Sequence, residues 1–339
     1  MLKYQAPMIA VAPMMDWTDR HCRYFHRGLT KHALLYTEMV TAEAVLRGDR
    51  ARLLAFDEAE HPVALQLGGS DPARLAAAAR VGEEAGYDEI NLNVGCPSDR
   101  VRSGAFGACL MRTPDLVAES VAAMKAAVGI PVTVKCRIGV DEQDPEEALD
   151  RLADGTFAAG ADALWVHARK AWLEGLSPKQ NRTVPPLDYG RVRRLKARLP
   201  GRFVGLNGGL VDLEAAAAEL PAVDGVMVGR AAYREPWRLA AVDRLFFGAA
   251  RDADPFAAAE RMIAYAERVL AEGGRMAPVV RPMIGLFHGC EGARRWRQIL
   301  TVEGARAGAG PDVIRAALAA VASSREGLDS GAPRVDRAA

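Results

Sequence analysis

The chain has 339 residues, with 44 Lys and Arg against 43 Asp and Glu, so its formal charge of +1 excludes a polycation that coats nucleic acid and leaves only a local basic surface. Half of the residues are apolar and 26% are charged, the composition of a folded protein with a sizeable core and not of a disordered chain. The longest stretch without a charge or His, Tyr4 to Met15, is 12 residues where a membrane helix needs about 20. The short apolar run holding Pro7 and Pro13 leads directly into charged residues, with no small-residue cleavage site after a cationic start, so no secretory signal is read and a cytoplasmic protein is expected. The five cysteines, Cys22, Cys96, Cys109, Cys136 and Cys290, contain no C-x-x-C pair, which argues against a disulfide framework, a zinc site or any other bound metal.

In chain order, eight β-branched or aliphatic runs stand out: Met8 to Met14, Ala33 to Val40, Pro62 to Gly69, Glu89 to Pro97, Pro131 to Gly139, Ala163 to Arg169, Phe203 to Gly209 and Gly225 to Arg230. Most gaps between them hold Ala-rich segments of helical period, among them Ala73 to Ala85, Pro114 to Val128, Pro145 to Ala159 and Leu213 to Leu220. Strands buried on both faces and linked by helices make a parallel sheet, and eight of them predict an α/β fold, a (β/α)8 TIM barrel spanning residues 1–237. From residue 238 the pattern is helical only, over Arg238 to Ala249, Pro255 to Glu272, Met276 to Phe287, Gly292 to Arg306 and Pro311 to Ser323, which predicts a C-terminal helical domain at 238–325. Residues 326–339 are rich in Gly, Pro, Asp and Arg and read as a disordered tail.

In such a barrel the chemistry lies where strands end. The strand ends hold Pro13, Met14 and Met15; Gln66; Lys135; His167; Asn207, Gly208 and Gly209; and Gly229 with Arg230. Glycines after the last two strands let backbone N–H groups approach a phosphate, Arg230 adds charge-assisted bonds, and Lys135 and Gln66 suit a ring with carbonyl and nitrogen acceptors. The constellation fits a phosphorylated aromatic cofactor. Taken singly, the glycines read as tight turns and Lys135 and His167 as satisfied core residues.

The fourth strand end reads Asn91-Leu92-Asn93-Val94-Gly95-Cys96-Pro97. Together with A-P-M-M, V-A-L-Q-L-G-G, V-K-C-R-I-G, H-A-R-K, N-G-G and V-M-V-G-R at the other strand ends, this motif resembles the tRNA-dihydrouridine synthases, in order from about residue 8 to about residue 300. The segment from Ala168 to Arg182 and Gly285-Leu286-Phe287-His288-Gly289 resemble the A-type branch, which acts on D-loop uridines 20 and 20a. The resemblance implies reduction of the uridine C5=C6 bond with FMN as hydride carrier and NADPH, or NADH, as electron source. It further implies that Pro13, Met14, Met15, Gln66, Lys135, His167, Asn207, Gly208, Gly209, Gly229 and Arg230 bind FMN and that Cys96 is the proton donor. A thiol with an ordinary pKa near 8.5 stays protonated at neutral pH and can quench the carbanion left at C5 after hydride reaches C6. A nucleophilic Cys96 would instead need an adjacent base, and the nearby candidate, His167, is already used.

Asn93 can offer its amide bidentately to the uracil edge, and Arg169, Lys179, Gln180 and Arg182 reach the base or its phosphates. The target uridine must be flipped out of its stack, and the loop from Ser98 to Gly107 is placed to close over it. Residues 169–202 hold ten basic and two acidic residues, an excess of +8 that suits a phosphate backbone, although a solvated helix face is the usual meaning of such a run. Arg294, Arg295 and Gln298 of the helical domain are further tRNA candidates. Trp165, mid-strand, reads as core, and Trp172 as a residue that packs on RNA. A monomer is the simplest expectation. Two alternatives stand: an FMN barrel acting on a free pyrimidine, of dihydroorotate or dihydropyrimidine type, and a barrel that only binds tRNA.

Overall fold

The computed structural model describes residues 7–98, 104 and 106–323, in two compact units. The first, Met1–Asp16 with Ala33–Gly229, is an all-parallel barrel. Its strands are β1 (Met8–Val11), β2 (Leu34–Tyr36), β3 (Val40–Thr41), β4 (Val63–Gly68), β5 (Glu89–Val94), β6 (Val132–Arg137), β7 (Ala163–His167), β8 (Phe203–Asn207) and β9 (Gly225–Val228). Each of β4 to β9 pairs with its sequence neighbour, β9 returns to β1, and β1 pairs with β2; the β2–β4 pairing then closes eight strands into a TIM barrel. The expected second strand is split in two: β2 enters the barrel, and the two-residue β3 runs beside the end of β4.

The helices begin where the sequence supplies caps. Asp71 and Asp144 accept the first free N–H groups of Pro72–Glu84 and Pro145–Ala158, and proline at the next position has its φ already set for the helix. Helix Tyr189–Arg198, capped by Asp188, lies within the basic run.

Side chains alternate across a strand, so every second residue points into the barrel. On the β1, β2, β7, β8 and β9 side this interior is apolar: Met8, Ala10, Leu34, Ala163, Trp165, Phe203 and Met227 form one buried cluster. Trp165, the largest fully buried side chain and core as expected, meets Phe203 with ring centroids 5.5 Å apart. Position 205 must be glycine for this, because a Cβ there would overlap the indole. At Gln66 of β4 and along β5 and β6 the inward positions are polar instead: Glu89, Asn91 and Asn93, then Thr133, Lys135 and Arg137. Register sets Asn91 beside Thr133, Asn93 beside Lys135, Arg137 beside His167 and His167 beside Asn207.

The second unit, Trp17–His32 with Arg230–Ala339, is helical over its described residues. Phe256, Phe287 and Trp296 form its aromatic centre, with centroids 4.6 and 4.8 Å apart, and the Trp296 indole N–H donates to the Met283 carbonyl at 3.1 Å. Its limits differ from the sequence division after residue 237. It begins at Arg230, and it includes helix Arg20–Arg27 because Tyr24 stacks on Tyr265 at 4.0 Å and Thr30 donates to Asp243 at 2.7 Å. Those partners lie more than 200 residues apart, beyond the reach of any local pattern. The expected helix from Met276 to Phe287 stops at Val280, with Pro282 next in a short 3-10 turn; a proline cannot donate to an α-helical ladder. The tail expected at 326–339 lies outside the described residues.

Candidate active site

Six β4–β8 residues singled out in the sequence project from inward positions at the C-terminal half of the barrel: Gln66, Asn93, Lys135, His167, Asn207 and, in the loop after β5, Cys96. Asn93 organises that loop. Its side-chain Oδ1 accepts the backbone N–H of Gly95 at 3.1 Å and of Cys96 at 3.0 Å, an Asx-type turn that fixes where the thiol sits. Its Nδ2 donates to Gln66 Oε1 at 2.8 Å. A bidentate amide for a pyrimidine edge is therefore not available: both lone pairs of Oδ1 are used, and Asn93 keeps one N–H to give. The half-buried Cys96 thiol lies 3.4 Å from Ser98 Oγ, and the Cys96 carbonyl accepts the Ala108 N–H at 2.9 Å, which holds both ends of the intervening loop. Most of the loop from Ser98 to Gly107 lies outside the described residues.

Lys135 Nζ donates to Asn207 Oδ1 at 3.0 Å, and Asn207 Nδ2 donates to the Met227 carbonyl at 2.6 Å, which ties β6, β8 and β9 together. Burial, aided by the neighbouring Arg137, pulls the Lys135 ammonium down to about 8. An anionic ligand group at this position would satisfy it. Beside it, Gly208 and Gly209 have φ values of 106° and 68°, which disfavour any residue with a side chain, and a Cβ on Gly208 would overlap the His167 ring. The Tyr189 hydroxyl donates to the Gly208 carbonyl at 2.6 Å and fixes the turn. Gly229 has no such demand, since a Cβ there would meet only Ala12 and Met14 at ordinary contact distances. Pro13 and Met14 are half-buried after β1, and Met15 is 44% exposed. Arg230 is the first residue of helix Arg230–Arg234 and falls in the second unit.

Arg137, not singled out in the sequence, proves central. Its guanidinium donates to the carbonyls of Gly95 at 3.1 Å, Lys170 at 3.0 Å and Asn181 at 2.8 Å, clamping the Cys96 loop to the loop after β7. Burial lowers its pKa to about 10, and Cys96 is within Coulombic range. Its position two residues after Lys135 on the same strand was the available signal. The fully buried Asn181 bonds the backbone of Trp172 in both directions, at 2.7 and 2.8 Å, and so shapes the same loop.

The helical part of the basic run is a face paired with acids. On helix Tyr189–Arg198, Arg191 pairs with Glu146 and Asp150, Arg193 with Glu219, Arg194 with Glu146, Lys196 with Asp224 and Arg198 with Asp150 and Asp154. The excess of +8 is thus largely cancelled by acids from elsewhere in the barrel. Exposed at the loop after β7 are Lys179, Gln180 and Arg182; Gln180 also accepts the Ser177 N–H at 2.9 Å and so caps its own turn. Arg169 donates to the Pro185 carbonyl. Lys170 lies 5.6 Å from the Trp172 ring, so that indole already packs against its own loop. In the second unit Arg294, Arg295 and Gln298 are exposed on helix Ala293–Gln298, where Arg295 donates to Gln298 at 3.1 Å.

The barrel resembles that of a morphinone reductase, with a TM-score of 0.52 and 16% identity over 76% of this chain and 91% of that one, a likeness of fold alone. The sequence relatives are far nearer. A tRNA-dihydrouridine(20/20a) synthase of Escherichia coli (strain K12) is 55% identical over 318 residues, 93% of this chain and 92% of its own length. One from Xanthomonas axonopodis pv. citri (strain 306) is 55% identical over 321 residues, 93% of this chain and 95% of its own length. The model of the dihydrouridine synthase family matches residues 10–321, which takes in the barrel, the Asn93–Cys96 turn and nearly all of the described helical unit. A match of that extent, with identity above one half over 93% of the chain, places this chain in the dihydrouridine synthase family.

Proposed function

We propose that this protein reduces the C5=C6 bond of uridine to 5,6-dihydrouridine at positions 20 and 20a of the tRNA D-loop, using FMN and NADPH. The observation that carries this reading is the Asn93–Cys96 turn, which sets an amide donor and a thiol side by side at the mouth of a barrel whose relatives are named for the reaction. The residues present fit a flavin. Gly208 and Gly209 hold left-handed backbone at a strand end, packed so closely on His167 and Leu187 that no Cβ fits, and burial lowers the pKa of Lys135, which an anionic ligand group would raise. FMN bound there supplies the hydride for uridine C6.

Pro13, Met14, Met15, Gln66, Lys135, His167, Asn207, Gly208, Gly209, Gly229 and Arg230 hold the cofactor in this reading. Cys96 gives its thiol proton to C5, a positioned general acid of the kind worth about 10²–10⁴ in rate. Asn93 donates its remaining N–H to a pyrimidine carbonyl. Arg137 keeps the Cys96 loop against the loop after β7, and Arg169, Lys179, Gln180 and Arg182 meet the RNA, with Arg294, Arg295 and Gln298 serving the same backbone from the helical unit. A monomer suffices for this scheme. No helix among the described residues is long and apolar enough to cross a membrane, and a tRNA substrate suits the cytoplasm.

The test is to incubate the protein with an unmodified tRNA transcript and NADPH or NADH, and to map by mass spectrometry any nucleotide that gains two hydrogens. A gain at uridine 20 or 20a is expected, faster with NADPH. Oxidation of NADPH by bound flavin without any gain in tRNA, but with reduction of a free pyrimidine, would replace this reading; absence of FMN from the protein would leave tRNA binding alone.

A further inference from the structure

The amide pair at the mouth continues downward as a column of buried side chains. Gln66 Nε2 donates to Asn91 Oδ1 at 2.8 Å, and Asn91 Nδ2 donates to Thr133 Oγ1 at 2.7 Å. The Thr133 hydroxyl then donates to Glu89 Oε1, which also accepts the Tyr36 hydroxyl at 2.6 Å. Tyr36, Glu89, Asn91 and Thr133 are fully buried. Glu89 stands four residues before Asn93 on β5, about 13 Å away along the strand.

An amide can exchange its oxygen and nitrogen by turning over, and only its partners decide which way it faces. Here both ends of the column decide, and they agree. At the top, the backbone groups of Gly95 and Cys96 can only donate, so the Asn93 atom facing them is oxygen. Asn93 nitrogen therefore faces Gln66 oxygen, Gln66 nitrogen faces Asn91 oxygen, and Asn91 nitrogen faces Thr133. At the bottom, Thr133 spends its single hydroxyl proton on the Glu89 oxygen and offers Asn91 only lone pairs. Reversing any one amide would set two donors or two acceptors against each other in a dry interior, at the cost of a buried unsatisfied group.

We propose that Glu89 and Thr133 are positioning residues for the reaction. Through Asn91 and Gln66 they hold Asn93 as a donor-only amide beside Cys96, so that the pyrimidine is met by an N–H at one of its carbonyl oxygens. The same chain fixes which face Gln66 turns to the flavin. This inference rests on the reading of the mouth as the uridine and flavin site.

Thr133→Val removes the hydroxyl at nearly constant shape, and Thr133→Ser keeps it. With the flavin-loaded protein, NADPH and unmodified tRNA transcript, Thr133→Val is expected to lower kcat about tenfold with KM within about twofold, the effect of one lost hydrogen bond. It should also displace the midpoint potential of the bound flavin, while Thr133→Ser stays within about twofold of the parent in both constants. Glu89→Leu, which removes the oxygen that takes the Thr133 proton, should follow Thr133→Val, and the double variant should be no slower than the slower single one, because both act through one column. If Thr133→Val does not fold, Glu89→Leu carries the same two readouts. A folded, flavin-loaded variant with unchanged kcat and potential overturns the proposal, as does a Thr133→Ser variant as impaired as Thr133→Val. Failure of the unsubstituted protein to add hydrogen to any tRNA nucleotide would instead overturn the functional reading.

Discussion

Asn93 Oδ1 accepts the backbone N–H of Cys96 at 3.0 Å, so the amide and the thiol of the motif belong to one turn. Whatever moves the amide moves the thiol. The spacing of three residues in the motif is the length an Asx-type turn requires, with the oxygen of the first residue reaching the N–H of the second and third residues after it.

Replacing Cys96 with Ala should lower uridine reduction in tRNA by about 10²–10⁴, the usual worth of a positioned acid. NADPH oxidation by the bound flavin should persist. A parallel assay of NADPH consumption and of two-hydrogen gain in tRNA separates the two; equal loss in both would show that the thiol serves the flavin and not the base.

Asn93→Asp keeps the acceptor for the Gly95 and Cys96 N–H groups but loses the donor to Gln66 and the donor left for substrate. A carboxylate oxygen would face the Gln66 oxygen at hydrogen-bond distance. The expected result is a fall in kcat/KM of about 100-fold or more with the barrel still folded, since two bonds of about 1–1.5 kcal/mol each are lost and a repulsion is added. Steady-state kinetics on tRNA together with thermal melting will tell this from unfolding.

Lys135 titrates near 8 in the folded protein against an ordinary value of 10.5, because burial disfavours its charge. Between those values the unfolded chain holds the proton and the folded chain has lost it. This residue therefore penalises the flavin-free fold below about pH 8, and the penalty is relieved as pH rises towards 10.5. Lys135→Met should flatten that part of the stability curve, measured by denaturant melts of the flavin-free protein at several pH values. Binding of an anionic ligand beside Lys135 should take up protons near pH 8–9, seen by calorimetry in buffers of different ionisation enthalpy and absent in the variant.

Gly208→Ala puts a Cβ at φ 106° and into the His167 ring. About 1–2 kcal/mol of backbone strain is expected, more with the overlap. FMN affinity should fall at least tenfold, read by fluorescence titration, whereas Gly229→Ala, which meets only ordinary contacts, should bind FMN within about threefold of the parent.

Arg194 and Arg198 are engaged by Glu146, Asp150 and Asp154, while Lys179 and Arg182 are exposed on the loop after β7. Changing both Arg194 and Arg198 to Gln should alter KM for tRNA less than twofold. Lys179→Ala with Arg182→Ala should raise it several-fold and lower the salt dependence of binding by about two in slope, one for each phosphate contact. The opposite ranking would return the RNA interface to the helix.

The sequence by itself determined the barrel, its strand ends and the residues placed there. Two-face-buried strands leave continuous apolar runs, so Gln66, Lys135, His167 and Asn207 could be named from their place at strand ends, and Asn93 from the motif it shares with Cys96. The Asn91–Pro97 motif, with those at the other strand ends, pointed to the family. Only the tertiary structure decided what those residues are bonded to. The column from Glu89 to Asn93 is built by register between β4, β5 and β6, and the acids that neutralise helix Tyr189–Arg198 come from 26 to 48 residues away in sequence. Helix Arg20–Arg27 joined the helical unit through partners still more distant. Periodicity reports which face a side chain takes; hydrogen bonds and ion pairs depend on which strand or helix lies opposite, and that is fixed only when the barrel closes.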